Sequence, residues 1–290
     1  MTNRLLFFAV IAISLFFIAC NTASGPGPWQ LRPAMDSVYH FVITEETVQD
    51  VNRGNPNTIT TGFSLRCTQQ TDSLLTFQLV VEQLKRSARP FGLVIPGKSK
   101  ADMEKMQQEW VASADSCRQG VIGDSLEVTG DSKGHILTVQ GVERIMEKIA
   151  NAMHKDPRDV YSNLHDQFST KVMQDLLTRV LFYLPVRSVK EGDNWVSNYT
   201  LIAKAPVKYS NLITVQHLPG DSVIMDIKTV LSARTGEGGR VFAEGNQWGT
   251  VTASLATGMP YRIILRDSLV SKTDTYKTKA EHVFTVSASW

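Results

Sequence analysis

The stretch Leu74-Leu75-Thr76-Phe77-Gln78-Leu79-Val80-Val81 shows the pattern on which the fold is built. The residues at positions 75, 77, 79 and 81 are all apolar, whereas Thr76 and Gln78, between them, are polar. Successive side chains of a β-strand point to opposite faces, so this period of two indicates a strand with one buried and one solvated face. Such one-sided strands are typical of antiparallel sheets.

The same alternation returns in the second half of the chain, at 223–231 and again at 250–255. Turn residues separate these strands, as expected for hairpins joined in a meander. Strands do not alternate with helices in the rhythm of a doubly wound fold, which argues against a parallel sheet. The turn signals are Pro219-Gly220-Asp221, Gly236-Glu237-Gly238-Gly239 and Thr257-Gly258-Met259-Pro260.

Between the strand-rich halves the apolar period changes to 3.6, the period of an amphipathic helix. Apolar stripes at 142–153 and 172–181 predict two helices, and Asp156-Pro157 predicts the start of a short one between them. An earlier helix is predicted near 99–116, from Ser99 as its N-cap. We expect every stripe to seal one face of the sheet. In the earliest helix this stripe consists of Met103, Met106 and Trp110.

These patterns together predict an α+β fold. Its main part is an antiparallel β meander, arranged as a curved sheet or half-barrel, and a central helical segment packs on one face. The predicted order is a signal peptide at 1–19, an acylated tether at 20–34, a β-rich half at 35–139, a helical segment at 140–184 and a β meander at 185–290.

The first twenty residues resemble a bacterial lipoprotein signal peptide. Arg4 precedes an apolar run at 5–18, which is too short to remain as a membrane-spanning helix and ends at Ala19-Cys20. The resemblance implies that Cys20 is acylated and becomes the first residue of the mature chain. Asn21 stands where some lipoproteins carry the Asp that retains them in the inner membrane. The expected location is therefore the outer membrane, on its periplasmic face, with a lipid as the membrane contact.

Charge and cysteine content limit the remaining partners. The chain has 30 Lys and Arg against 28 Asp and Glu, and removing the leader removes only Arg4. A net charge of about +1 gives no electrostatic basis for binding nucleic acid. An oxidising compartment permits disulfides, so the sequence leaves two alternatives for Cys67 and Cys117, a disulfide or two free thiols.

Two short motifs look catalytic. Gly123-Asp124-Ser125-Leu126 spells the nucleophile block of GDSL esterases, and 130–134 fits the G-x-S-x-G nucleophile elbow. Serine needs a positioned base, and the Asp-x-x-His that supplies it in GDSL esterases is missing from the sequence. A strand is expected after each motif, so we interpret both as turns. No recognised metal or cofactor motif occurs, and none is predicted.

Five Asp-Ser-aliphatic triplets recur where strands are expected to begin. Asp and Ser side chains bond nearby backbone N–H groups, so turn chemistry explains the repeat. The triplets also resemble the acceptor for O-glycosylation of exported proteins in some Gram-negative bacteria. The candidate acceptors are Ser37, Ser73, Ser125, Ser222 and Ser268.

The second half resembles a family of uncharacterised lipoproteins of Gram-negative bacteria, through Lys190-Glu191-Gly192-Asp193-Asn194-Trp195 and Gly245-Asn246-Gln247-Trp248-Gly249. That resemblance implies no activity. We expect a scaffold or interaction protein without catalysis, because no polar residues converge on a recognisable site in the sequence. The alternative is a carrier, whose helices at 142–153 and 172–181 cover a cavity for a lipid or other apolar molecule. The third hypothesis is a GDSL-like esterase.

Overall fold

The computed structural model describes residues 28–49, 57–87, 99–181, 184–185, 187–201, 206–234, 242–272 and 277–290. The predicted leader, the acylation site at Cys20 and the turn at 236–239 lie outside these ranges. Among the described residues, no helix combines the length and hydrophobicity needed to cross a membrane.

All strands of the described residues belong to one antiparallel sheet. Its order is β5-β4-β3-β2-β1-β11-β10-β9-β8-β7-β6, so strands that follow each other in each half are neighbours in the sheet. The connection between β3 and β4 contains a helix, so these two strands are not a hairpin. The strands are β1 Val38–Gln49, β2 Asn57–Gln70, β3 Leu74–Ser87, β4 Ser125–Asp131, β5 Ile136–Gln140, β6 Asn194–Leu201, β7 Val207–His217, β8 Ser222–Arg234, β9 Phe242–Ser254, β10 Pro260–Lys272 and β11 Lys277–Ser289.

The first and last strands join the two halves. β1 pairs with β11 in antiparallel register, with Ile43 opposite Val286 and Glu45 opposite Phe284. The sheet is open, with β5 and β6 at its edges. The prediction of an α+β fold built on antiparallel strands is therefore confirmed, and the two β-rich segments form one continuous sheet.

Four helices lie among the described residues. Ser99 caps the first through a capping box, since its hydroxyl accepts from the Asp102 backbone N–H at 3.1 Å and the Asp102 carboxylate accepts from the Ser99 backbone N–H. Asp156 caps the third, with Pro157 at its first position. The helices are α1 Lys100–Val121, α2 Val142–Met153, α3 Pro157–Leu164 and α4 Thr170–Leu181.

The expectation that the stripe of α1 seals the sheet is wrong for its first turns. Met106 is 46% exposed and Trp110 is 55% exposed. Only the C-terminal part of α1 packs, where Ala114, Cys117 and Val121 are buried. The side chains at 106 and 110 are therefore not part of the core.

Helices α2 and α4 supply the buried stripes that the sequence predicts. The apolar side chains of α4 are buried together with inward-facing residues from both halves of the sheet. Helix α4 contacts both β5 and β10, although five strands lie between them in the sheet. The sheet therefore curves around this helix. We call the helix-covered face of the sheet its inward face and the other its outward face.

The predicted tether is too long at its C-terminal end. Trp29 and Leu31 are buried in the core. The Trp29 indole N–H donates to the Ser254 carbonyl at 3.0 Å, and the Leu31 backbone N–H donates to the Ser132 carbonyl at 2.8 Å. Burial of two large apolar side chains stabilises this segment against the loops at one end of the sheet. Residues 29 and 31 therefore belong to the packed domain and not to a tether.

Candidate functional site

A row of polar side chains crosses the inward face of the sheet. Each member stands directly opposite the next on the neighbouring strand, so the row runs without interruption from β6 to β1. Five members, from β6 to β10, are buried. The row consists of Ser197, Asn211, Thr229, Gln247, Asp267, His282 and Thr47.

Hydrogen bonds connect much of this row. The Thr229 hydroxyl donates to Asn211 Oδ1 at 2.6 Å and lies 3.4 Å from Gln247 Oε1. Gln247 Nε2 donates to Asp267 Oδ2 at 3.4 Å. Leaving a buried polar group without a partner costs about 1–3 kcal/mol, so these contacts offset much of the cost of burying the row.

Arg179 on α4 reaches the sheet beside the row. Its Nη1 lies 3.1 Å from Glu45 Oε1 on β1, and its guanidinium lies 3.7 Å from the centre of the Phe284 ring on β11. Its side chain is 13% exposed. The Nε–H group is buried and has no hydrogen-bond partner among the described residues. The buried Arg179 guanidinium therefore has one N–H donor available.

A cavity of about 180 Å³ lies between α4 and the inward face. Its walls combine charged, polar and apolar groups from one helix and both halves of the sheet. The main lining residues are Glu45, Arg179, Tyr209, Asp267, His282 and Phe284.

Burial sets the protonation of this cavity. Burial is the largest single influence on Arg179 and lowers its pKa, but Glu45, Tyr209, Tyr199 and Asp267 together outweigh it and raise the pKa above its ordinary value. Burial also raises the pKa of Tyr209 to about 12, so that this phenol remains a hydrogen-bond donor. The pKa of Asp267 is raised, again by burial, although His282, Arg179 and the bond from Gln247 act in the opposite direction.

Two glycines flank Gln247 on the same inward face. A Cβ at Gly249 would lie 1.9 Å from the Ile264 carbonyl oxygen, and one at Gly245 would lie 2.3 Å from that of Ser268. No side chain fits at either position, because β10 approaches too closely. These glycines allow Gln247 to hold its place between Thr229 and Asp267.

We expect Asp267→Asn to stabilise the protein at neutral pH. A carboxyl whose folded pKa is raised contributes stability that is complete below its unfolded pKa of about 3.9 and is lost as the pH rises through the folded value. The amide of the variant cannot ionise, so its advantage in free energy of unfolding should grow from acidic to neutral pH. Urea unfolding at a series of pH values measures this, with Asp72→Asn at an exposed turn as the control. A constant difference between the Asp267 variant and the wild type across this range would contradict the raised pKa.

The two cysteines lie apart from the cavity lining. Both are buried and free, and each sulfur lies 3.8 Å from a different methionine sulfur, Cys67 from Met35 and Cys117 from Met153. Burial raises the pKa of both thiols, which keeps them protonated and poor nucleophiles.

The candidate glycosylation serines occupy different environments. Ser73 is exposed in the turn before β3, and Ser37, Ser125 and Ser222 are half-buried at strand starts. Ser268 lies within β10, far from its start, so turn chemistry is the wrong explanation for that triplet. Asp267 instead points inward and belongs to the polar row.

The two catalytic-looking motifs have the geometry of connections. The GDSL block follows helix α1 and leads into β4, the reverse of the strand-to-helix order that a nucleophile elbow needs. The preceding residues, 121–122, end that helix and do not form a strand. In the second motif the Asp131 carboxylate accepts from the backbone N–H groups of Lys133 and His135, both at 2.9 Å, which closes a hairpin turn. No cluster of metal-ligating side chains occurs among the described residues.

Sequence reasoning missed Arg179 and the whole polar row. The signal was present as interruptions of the apolar alternation: Thr229 stands at an inward position between Ile227 and Leu231, and Asp267 follows Leu265. Each interruption alone is a common event in a strand. Only the strand register places them side by side.

A protein family matches a part of the chain that includes much of this site. The family of unknown function DUF6263 matches residues 95–260, more than half of the chain. The chain belongs to this family. The expectation of an uncharacterised family is confirmed at that level. The DUF6263 match includes Arg179 and the row from Ser197 to Gln247, whereas Glu45, Asp267 and His282 lie outside it.

Other comparisons add little on function. No curated protein matches the sequence significantly. Among solved structures, one concerned with lipid–protein interactions in lipovitellin matches with a TM-score of 0.49 at 8% identity. The match covers 89% of this chain and 25% of the lipovitellin chain. This chain thus spans about a quarter of that protein, and with a TM-score below 0.5 no functional argument rests on the likeness.

Proposed function

We propose that the protein is a non-catalytic binding protein that holds an anionic head group, a carboxylate or a phosphate, in the cavity at Arg179. The observation that carries the proposal is the Arg179 side chain, which lines the cavity and whose buried Nε–H has no hydrogen-bond partner among the described residues. Arginine offers a planar fork of donors that suits both anions. Polar side chains therefore do converge in the fold, which favours the carrier alternative over the scaffold.

The cavity limits the size of the bound group. About 180 Å³ corresponds to the liquid volume of roughly six water molecules, which is below the usual range for a whole drug-sized ligand. It accommodates a head group or a small free acid. Phe284, Leu231 and Leu269 provide apolar wall, which suits the first carbons of an aliphatic chain.

The charges of the cavity are compatible with an anion. Glu45 is already paired with Arg179, and the raised pKa of Asp267 favours its neutral form. The Tyr209 hydroxyl, with its pKa of about 12, adds a neutral donor. An entering anion would thus meet the Arg179 cation and the Tyr209 donor, and the burial that raises the Asp267 pKa opposes a second negative charge.

Native mass spectrometry with solvent extraction tests the proposal on protein expressed into a periplasm. We expect an anionic passenger, or a gain in thermal stability with octanoate or octyl phosphate as probes. Extraction of a lipid would identify a lipid head group as the source of the anion, and stabilisation by the short probes alone would indicate a free acid.

The variant Glu45→Gln/Arg179→Met removes the cation and its partner together and should abolish both signals. The matched control, Asp115→Asn/Arg118→Met, removes a buried arginine and its carboxylate partner on α1, outside this cavity. Equal binding by the two double variants, or no passenger and no stabilisation by either probe in the wild type, would overturn the proposal.

The membrane location is part of the same proposal. The pattern around Cys20 supports a lipid anchor at the outer membrane, facing the periplasm. The intact mass from the same experiment shows whether the anchor is present, because an anchored chain begins at Cys20 and carries acyl groups. A mass that retains residues 1–19, or an unmodified Cys20, would contradict the anchor.

A further inference from the structure

An apolar stripe lies exposed on the outward face of the second half of the sheet. Val196 stands directly opposite Leu212, which is diagonal to Val230, which is diagonal to Trp248. These four side chains are 43–62% exposed, one on each strand from β6 to β9. Diagonal neighbours on one sheet face lie within reach of each other, so the stripe is continuous.

Basic side chains surround the stripe. Lys228 and Arg266 stand directly opposite Trp248 on its two sides. By strand alternation, the same face of β7–β11 carries seven basic and three acidic described residues, an excess of four positive charges on a chain whose total is +2. They are Lys208, Lys228, Arg262, Arg266, Lys272, Lys277 and Lys279 against Asp226, Glu244 and Glu281.

A groove of about 490 Å³ lies beside Trp248 on this face. Asn246, Ser268, Lys272 and Lys277 line it together with Glu244, so two ammonium groups, an amide and a hydroxyl stand next to an indole ring and outnumber the one carboxylate. This combination suits a phosphate group at a membrane surface, where indole rings settle at head-group depth and lysines meet anionic lipids.

We propose that this outward face docks on an anionic lipid surface. Charge complementarity attracts the face, and Trp248 with the valines and Leu212 enters the head-group region. The proposal does not depend on the inward cavity, since the two sites lie on opposite faces of the sheet.

The expected anchor is close enough to allow this contact. The chain from Cys20 to Trp29 can span at most about 30 Å. Trp29 is held at Ser254, and Trp248 lies six residues from Ser254 along β9, about 20 Å away. A lipid on Cys20 and the ring of Trp248 can therefore reach the same membrane surface.

Vesicle flotation tests the docking face with the chain from Asn21 onward, which lacks the expected acylation site and keeps all the described residues. We expect binding to vesicles of equal parts phosphatidylglycerol and phosphatidylcholine, none to phosphatidylcholine alone, and weaker binding at high salt. Lys228→Gln/Arg266→Gln should weaken binding about 25-fold, at about fivefold for each charge. Adding Trp248→Ala to this double variant should weaken vesicle binding further.

Matched controls come from α1, where Trp110 is 55% exposed and Lys100 and Lys105 are exposed as well. Trp110→Ala and Lys100→Gln/Lys105→Gln should bind as the wild type does. Equal binding to neutral and anionic vesicles, no vesicle binding, or equal losses in the two sets of variants would overturn the proposal. Failure here leaves the result at the Arg179 cavity unchanged.

Discussion

Replacing Gly249 by alanine is expected to lower the free energy of unfolding by about 3 kcal/mol. The new Cβ would lie 1.9 Å from the backbone oxygen of Ile264, and a backbone atom within a paired strand cannot move aside without breaking the ladder. The loss exceeds the gain of up to about 1 kcal/mol that alanine brings by restricting the unfolded chain. Urea unfolding measures the difference.

Gly62→Ala is the matched control, because Gly62 also lies in a strand of this sheet. There the nearest atom to a new Cβ is the Gln83 Cβ at 3.0 Å, a side-chain atom that needs to move only by a few tenths of an ångström. We expect a loss of about 1 kcal/mol at most. Comparable stability of the Gly249 variant and the wild type would show that β9 and β10 do not approach each other as closely as described.

Replacing Arg179 by methionine is expected to lower the free energy of unfolding by about 2–3 kcal/mol. Removing one partner of a fully buried ion pair costs about 3–5 kcal/mol, and the smaller value applies because the Glu45 side chain is 36% exposed and solvent screens its charge. The variant also removes the cation that packs on Phe284.

A double-mutant cycle separates these effects. In Glu45→Gln/Arg179→Met no charge is left without its partner, so part of the lost stability should return, with a coupling energy of about 1–2 kcal/mol. The Asp115–Arg118 pair is the comparison: Asp115 is 59% exposed, and we expect a coupling of about 1 kcal/mol or less. Additive losses at Glu45 and Arg179 would mean that this pair does not join α4 to the sheet.

The local elements were predictable from short stretches of sequence. Apolar alternation gives the strands at 74–81, 223–231 and 250–255, and the stripes at 142–153 and 172–181 give α2 and α4. The caps at Ser99 and Asp156 are formed as predicted. These features follow from interactions between residues a few positions apart, which a sequence displays directly.

The candidate site was not predictable in this way. Arg179 and Glu45 are 134 residues apart, and neither residue is unusual in its own stretch. The stripe of α1 illustrates the same limit, because Trp110 has the spacing of a core residue but its side chain is 55% exposed. Spacing shows which side chains share a face of an element and does not show what that face meets.

By itself the sequence determined that the chain builds antiparallel strands, where its helices lie and which turns separate them, because these depend on side-chain period and on turn residues. The tertiary structure decided that β1 pairs with β11, so that both halves form one sheet. That register aligns Thr47 with His282 and places Glu45 beside Phe284, where Arg179 reaches both. Pairing between distant strands depends on the fit of whole faces, and no local pattern carries that information.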